Sequence, residues 1–139
     1  KSELAVGYCT QYGDMCGALA PIADLYKTQV YELAKELNKN QITIPENTIN
    51  KPPSAELRPN QLDQDSLPEY DILDQILKGL IEENKSTETI IKNGFDKEIV
   101  YWINHAIKIN EFKRKQAAIT LKLSQKAFGS GRRYPIAKK

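Results

Sequence analysis

Apolar residues recur along this chain at helical spacing in several stretches, and between them the pattern breaks on proline, glycine and asparagine. Ser2 to about Cys9 reads as a short helix: it opens on Ser2 and Glu3, and Leu4, Ala5 and Tyr8 can share a face. Tyr12-Gly13-Asp14 interrupts it, and residues 15–23, small and apolar with Pro21 among them, read as a buried loop. Asp24 is a predicted cap for a helix reaching about Asn38, with Val30, Leu33, Ala34 and Leu37 at i, i+3, i+4, i+7. A third helix is predicted from near Pro68 to about Glu83, with a stripe of Ile72, Leu73, Ile76, Leu77, Leu80 and Ile81. Ser86 caps a short helix that stops at Gly94. Asp96 caps a longer one, with Ile99, Trp102, Ile103, Ala106 and Ile107 toward the core, carrying on into Lys113-Arg114-Lys115.

Residues 40–68 behave differently. They carry Pro45, Pro52, Pro53, Pro59 and Pro68, which fix φ and remove N–H donors, so neither a helix nor a central strand is expected there. A loop of this length within a compact domain is uncommon and often functional. Beyond Gln116 the pattern fades into a basic tail, 117–139, with Gly129, Gly131 and Pro135. No repeat and no convincing strand emerges, so the reading is one mainly α domain. Hydrophobic residues at 40% and charged residues at 27% fit an ordinary globular composition. The apolar runs fall far short of the roughly 20 residues that span a bilayer, and no signal peptide is evident. Lys1, at the edge of a helix, reads as a start inside a longer chain.

Charge changes the picture more than its net value of +2 suggests. Residues 108–139 hold ten Lys and Arg against the single acid Glu111, whereas residues 1–107 hold ten against seventeen acids. A basic tail on an acidic body calls for a polyanionic partner: nucleic acid, a phosphate-rich small molecule, or the body itself. Cys9 and Cys16 are too far apart for a C-x-x-C pair, and the one histidine, His105, is remote from both, so a zinc site is not expected. The cysteines read as reduced thiols. Phosphate-loop, dinucleotide-fingerprint and nucleophile-elbow motifs are absent, and a His-centred triad is not supported.

What remains is polar density outside helices. Glu3 and Asp14 flank a turn. Lys27 lies in a first helical turn, where the dipole disfavours a cation unless it faces an anion. Lys51-Pro52-Pro53-Ser54-Ala55-Glu56-Leu57-Arg58-Pro59 sets a hydroxyl and two cations in a stiff frame. Together these groups suggest a site for a phosphorylated ligand.

Several runs point further. Ser2-Glu3-Leu4-Ala5-Val6-Gly7-Tyr8-Cys9-Thr10, Tyr12-Gly13-Asp14-Met15 and Leu19-Ala20-Pro21-Ile22 resemble NAD⁺ synthetases. So do Pro53-Ser54-Ala55-Glu56-Leu57-Arg58-Pro59, Asp65-Ser66-Leu67-Pro68, Tyr70-Asp71 and Asn110-Glu111-Phe112-Lys113-Arg114-Lys115-Gln116. Lys126-Ala127-Phe128-Gly129, Arg132-Arg133 and Pro135-Ile136 are similar to the long, glutamine-dependent form. These motifs run in order along nearly the whole chain.

The resemblance implies a mainly α fragment of an α/β adenine-nucleotide α-hydrolase-like (ATP pyrophosphatase) domain. It implies a ligase that adenylates the nicotinate carboxylate of deamido-NAD⁺ with ATP and Mg²⁺, then amidates it with ammonia released from glutamine by an N-terminal glutaminase domain. The family's Ser-Gly-Gly-x-Asp-Ser phosphate loop is absent from this chain, so the fragment alone is expected to be inactive. By the same resemblance Glu3 matches the Mg²⁺ carboxylate, Lys27 and Ser54 match ATP contacts, and Tyr8, Cys9, Thr10, Gln11, Asp14 and Lys113 match deamido-NAD⁺ contacts. At Gln11 the short enzymes tend to have lysine. Ala117-Ala118 stands where a proline-containing pair is expected, which predicts a looser tail. The resemblance further implies a cytoplasmic homo-oligomer with no nucleic-acid or membrane partner. The apolar faces of the helices at 70–83 and 97–116 are expected to be left exposed and to self-associate. The alternative is a nucleic-acid-binding helical module driven by the tail, which offers only Phe112, Phe128 and Tyr134 for stacking.

Overall fold

Helix α1 (Ser2–Val6) lies against α4 (Tyr70–Leu77) and α6 (Lys97–Ile109), and this three-way contact is the centre of the molecule. The structure, a computed structural model, describes residues 1–136; the last cations of the basic tail, Lys138 and Lys139, lie outside the described residues. The remaining helices are α2 (Lys27–Leu37), α3 (Glu46–Asn50), α5 (Thr87–Lys92) and α7 (Glu111–Arg114). A 3₁₀ turn spans Asp63–Asp65, and α4 runs on into a π turn at Lys78–Glu82.

The stripe on α4 and its extension forms as the spacing predicts except at Ile72, which turns out to solvent. Leu73, Ile76, Leu77 and Ile81 are fully enclosed and meet Val100, Ile103 and Ile107 of α6, with Ala5 and Val6 of α1 closing the cluster. Each such Leu or Ile contributes about 1.5–3 kcal/mol relative to exposure. The predicted caps at Ser86 and Asp96 are also present: their side chains accept from the N–H groups of Thr89 and Ile99. No helix is long and apolar enough to cross a membrane among the described residues.

Several expectations are corrected. Helix α1 stops at Val6, not near Cys9, because Gly7 turns left-handed (φ 75°) beneath the side chain of Asn110. Asp24 does not cap α2. Tyr26 sits at the N-cap position, and buried Asp74 of α4 reaches across to accept from Thr28 N–H at 2.9 Å, while Ser2 Oγ takes Lys27 N–H at 2.8 Å. On α2 only Ala34 of the predicted stripe is buried; Leu33 and Leu37 are exposed. Of residues 15–23 only Met15 is buried, because Leu19–Ala20 (β1) runs at the surface. It pairs in parallel with Ile119–Thr120 (β2), a two-stranded sheet that alternation over two residues could not announce. Within 40–68, α3 forms directly behind Pro45, where a missing N–H costs nothing, and ends before Pro52-Pro53.

Trp102 is 41% exposed: the buried face of α6 is Val100, Ile103, Ala106 and Ile107, rotated one residue from the expected stripe. The helix breaks at Asn110 instead of continuing into the basic run. The faces expected to drive self-association are largely spent on each other, with Ile72 and Phe112 left exposed; other exposed apolar residues include Leu19, Ile22, Leu33, Ile119, Leu121 and Leu123 around the sheet and α2, and Tyr101, Trp102 and Ile109 on the outside of α6.

Among the described residues the tail is tied to the body. Buried Asp24 accepts from Leu123 N–H, Ser124 N–H and Ser124 Oγ, and pairs with Lys1 Nζ at 2.8 Å. Arg114 donates to Leu4 O and Ala5 O and to Ile107 O, and its guanidinium lies over Phe128. Lys126 Nζ reaches Glu82 O at 2.6 Å, and Arg132 reaches Ile81 O at 2.9 Å. These cations sit on the carbonyl-rich ends of helices, where the dipole favours them. Of the three partners the charge asymmetry allowed, the body is the one these side chains engage.

Candidate functional site

A cleft of about 510 Å³ opens between the end of α1, the turn that follows it, the start of α2, Ser54-Ala55, Asp63 and Ala117-Ala118. Glu3, Tyr8, Cys9, Asp14, Lys27 and Ser54, all singled out from the sequence, line it together. Thr10, Gln11 and Lys113 are not part of the lining and act behind it.

Glu3 is placed by the tight start of α1, and Lys27 by the N-terminus of α2. Lys27 Nζ donates to Glu3 Oε1 at 2.9 Å and lies 5.2 Å from the centre of the Tyr70 ring. Burial alone would lower the Lys27 ammonium, but the Glu3 carboxylate more than offsets this and holds it above the usual lysine value. The cation in a first helical turn therefore has its anion, and the two groups matched to different ligands neutralise each other. Both are partly exposed, with 23% and 34% of their side chains accessible, so the pair is open to a ligand in the cleft.

Tyr70 connects this pair to a residue the sequence reading missed. Its hydroxyl donates to Asp63 Oδ2 at 2.6 Å and stands 3.3 Å from Glu3 Oε1. Burial, then the Glu3 and Asp63 carboxylates, drive the phenol far above its ordinary pKa, so it stays protonated. Asp63 is 4% exposed, and its Oδ1 is buried with no hydrogen-bond partner. Partial burial and the same carboxylate also raise the hydroxyl of Tyr8, which accepts from Gln61 Nε2 at 3.5 Å. The signal for Asp63 was weak but present: an acid two residues before Asp65-Ser66-Leu67-Pro68, ahead of residues that bury at Leu67 and Tyr70.

The turn after Gly7 is a closed unit. Thr10 N–H and Oγ1 both donate to Asp14 Oδ2, at 2.9 and 3.2 Å, and Asp14 N–H returns to Thr10 Oγ1. Gln11 contributes its carbonyl to a long 3.8 Å contact with Cys16 Sγ. Lys113 Nζ donates to Gly7 O at 2.6 Å and Cys9 O at 2.9 Å, bracing the turn from behind. Cys9 and Cys16 are both free thiols, and burial raises Cys9 above the ordinary thiol value. Ser54 Oγ accepts from Glu56 N–H at 3.1 Å, which leaves its own proton available to a ligand.

Among the described residues no three His, Cys, Asp or Glu converge on one point. A cation here would share Glu3 and an orphaned carboxylate oxygen and complete its shell from water or phosphate. Mg²⁺ is characteristically held that way, by one or two carboxylates plus substrate phosphates. The donors present therefore fit it.

Residues 1–117 match the NAD synthase family. The chain is 58% identical over 137 residues to the glutamine-dependent NAD(+) synthetase of Synechocystis sp., covering 99% of this chain and 25% of that protein. It is 56% identical over 139 residues to the glutamine-dependent NAD(+) synthetase of Aquifex aeolicus, covering 100% of this chain and 24% of that protein. It also resembles the solved glutamine-dependent NAD⁺ synthetase of Acinetobacter baumannii in complex with ADP. The TM-score is 0.50 at 45% identity, covering 98% of this chain and 24% of that one. The chain thus spans about a quarter of the length of the relatives it matches.

Proposed function

The chain belongs to the NAD synthase family, and on that premise we propose that it forms the substrate-binding half of an ATP-dependent amide ligase, a cytoplasmic glutamine-dependent NAD⁺ synthetase with an α/β ATP pyrophosphatase fold. The observation that carries this reading is the single cleft in which Glu3, Lys27, Ser54, Tyr8, Cys9 and Asp14 meet. The ADP described for the Acinetobacter baumannii relative supports a nucleotide in the same role here.

Adenylation of a carboxylate joins two anions and expels pyrophosphate, so the site has to offset negative charge without moving protons. Lys27, released from Glu3, supplies a fixed positive charge to the ATP phosphates, and Ser54 Oγ donates its free proton to them. Glu3 would hold Mg²⁺, whose chemistry there is to neutralise charge on the departing pyrophosphate. The braced turn presents Tyr8 and Cys9 to deamido-NAD⁺. Asp14, locked by Thr10, keeps its orientation without a ligand, which lowers the ordering cost of binding. Lys113 and Thr10 act by holding that turn, and Gln11 contributes only its backbone.

The substrates are deamido-NAD⁺ and ATP, the ammonia comes from a glutaminase domain elsewhere in the full-length protein, and the assembly is a homo-oligomer. This chain contains no Ser-Gly-Gly-x-Asp-Ser run. Without a backbone cradle for the phosphates, the chain alone should make no NAD⁺ from deamido-NAD⁺, ATP and ammonia. Turnover clearly above a blank would contradict that. Calorimetric titration of the full-length synthetase with deamido-NAD⁺ and an ATP analogue, beside a random oligonucleotide, tests the reading. Saturable binding of the first two supports it, and preferential, salt-sensitive binding of the oligonucleotide would overturn it.

A further inference from the structure

Asp63 stands out from every other buried polar group. Lys1, Asp24, Asp74, Glu111 and Arg114 are each fully engaged inside the protein. The Asp63 side chain makes one hydrogen bond, from Tyr70, and leaves Oδ1 buried and unpartnered, in a residue that borders the cleft. A charged acceptor left this way costs more than the about 1–3 kcal/mol of a neutral one, so the position makes sense when a ligand completes it.

The surroundings define that ligand. Asp63 and Glu3 are close enough to reach the same tyrosine hydroxyl, and they face one ammonium, Lys27. Tyr70 is uncharged and has only one proton to share between them. The local charge is therefore negative before any ligand enters, in a cleft we assign to a triphosphate. A phosphate oxygen cannot approach a bare carboxylate oxygen unless a cation stands between them, and once Lys27 leaves Glu3 for the phosphates both carboxylates lack one. The oxygens of two carboxylates, a serine hydroxyl nearby and incoming phosphate form a hard donor set, the set a small divalent cation takes.

The geometry points to Asp63 as a second carboxylate ligand, beside Glu3, for a divalent cation that enters with the nucleotide. Tyr70 occupies Oδ2 and leaves Oδ1 for the cation. This inference rests on the proposed nucleotide site.

The test uses full-length synthetase and Mn²⁺ as probe, its binding followed by electron paramagnetic resonance in the presence of a non-hydrolysable ATP analogue. Asp63→Asn should weaken Mn²⁺ binding by at least about tenfold, since even partners behind the ligands account for about 10–100-fold. The Mg²⁺ half-saturation of pyrophosphate exchange should shift by a similar factor, with deamido-NAD⁺ affinity unchanged. Tyr70→Phe keeps both carboxylates and should retain Mn²⁺ binding within about threefold, at the scale of context-dependent changes in one hydrogen bond. Unchanged Mn²⁺ affinity in Asp63→Asn with a raised KM for ammonia would instead make Asp63 the acceptor for the attacking nitrogen. Unchanged affinity with lower thermal stability, reproduced by Tyr70→Phe, would reduce it to a structural partner of Tyr70. Either result overturns the inference. If Asp63→Asn does not fold, Asp63→Ser measured in the same way decides: weakened Mn²⁺ binding supports the inference and unchanged binding overturns it. Wild-type enzyme that shows no exchange or no ATP binding refutes the nucleotide site itself, a failure distinct from these.

Discussion

Replacing Gly7 by alanine should be among the most costly single-methyl additions in this chain. Gly7 has φ 75°, and an added Cβ would lie 2.1 Å from Cγ and 2.2 Å from Oδ1 of Asn110. The left-handed backbone alone costs an L-residue roughly 1–2 kcal/mol. The clash then evicts the Asn110 amide, which donates to Val6 O and Ala106 O, each at 2.9 Å. Two such bonds are worth about 1 kcal/mol each. The sum is about 3–4 kcal/mol, a large part of the roughly 5–15 kcal/mol that keeps a domain folded. The assay is urea unfolding of Gly7→Ala, Asn110→Ala and the double variant. Asn110→Ala should cost about 2 kcal/mol, the same two bonds. The double variant should be no less stable than Gly7→Ala, because the bonds are already lost once the methyl is present. Additive losses, or a Gly7→Ala variant within about 0.5 kcal/mol of wild type, the usual range of an inconsequential substitution, would refute the reasoning.

Glu3→Gln in the full-length enzyme should abolish exchange of labelled pyrophosphate into ATP, with partial rescue at raised Mg²⁺ and glutamine hydrolysis largely intact; near-normal exchange would remove Glu3 from the site. Burial pushes the Asp24 carboxyl up, but Lys1 and the N–H groups of Ser124 and Leu123 outweigh it and hold it below the ordinary value of 3.8. The stabilisation is therefore present above about pH 3.8 and lost as pH falls through the lowered value. Amide exchange at residues 119–124 should accelerate on acidification, and Asp24→Asn should give the same acceleration at neutral pH. Iodoacetamide at neutral pH should label exposed Cys16 well before Cys9, whose half-buried thiol is held protonated; peptide mass spectrometry reads the order, and equal rates would contradict the shielding of Cys9.

How much of this was legible depends on how local each cause is. Ser86, Asp96 and the stripe from Leu73 to Ile81 act within one or two turns, and spacing exposes them. Asp24 and Asp74 exchange the roles one would guess, because the partners of Asp24 lie about a hundred residues away and the N-terminus of α2 is served from a different helix. Lys113 and Arg114 look like free cations in sequence, yet they answer to the carbonyls at the end of α1. In the site, Glu3, Lys27, Ser54 and Asp14 were recognisable by motif, and the structure gathers them. Asp63 was not, since what distinguishes it is an unpartnered oxygen rather than a residue type.

The wall of the cleft at Ala117-Ala118 is held by the pairing of Leu19 with Ile119 and by the grip of Asp24 on Ser124, a closure spanning 100 residues. Such a loop is closed late, because its entropy has to be met before its few hydrogen bonds form. During synthesis the α1–α4 contact can form long before residue 119 leaves the ribosome, but the cleft cannot. A copy cut short before β2 can still pack much of its helical core, yet it lacks one wall of the cleft.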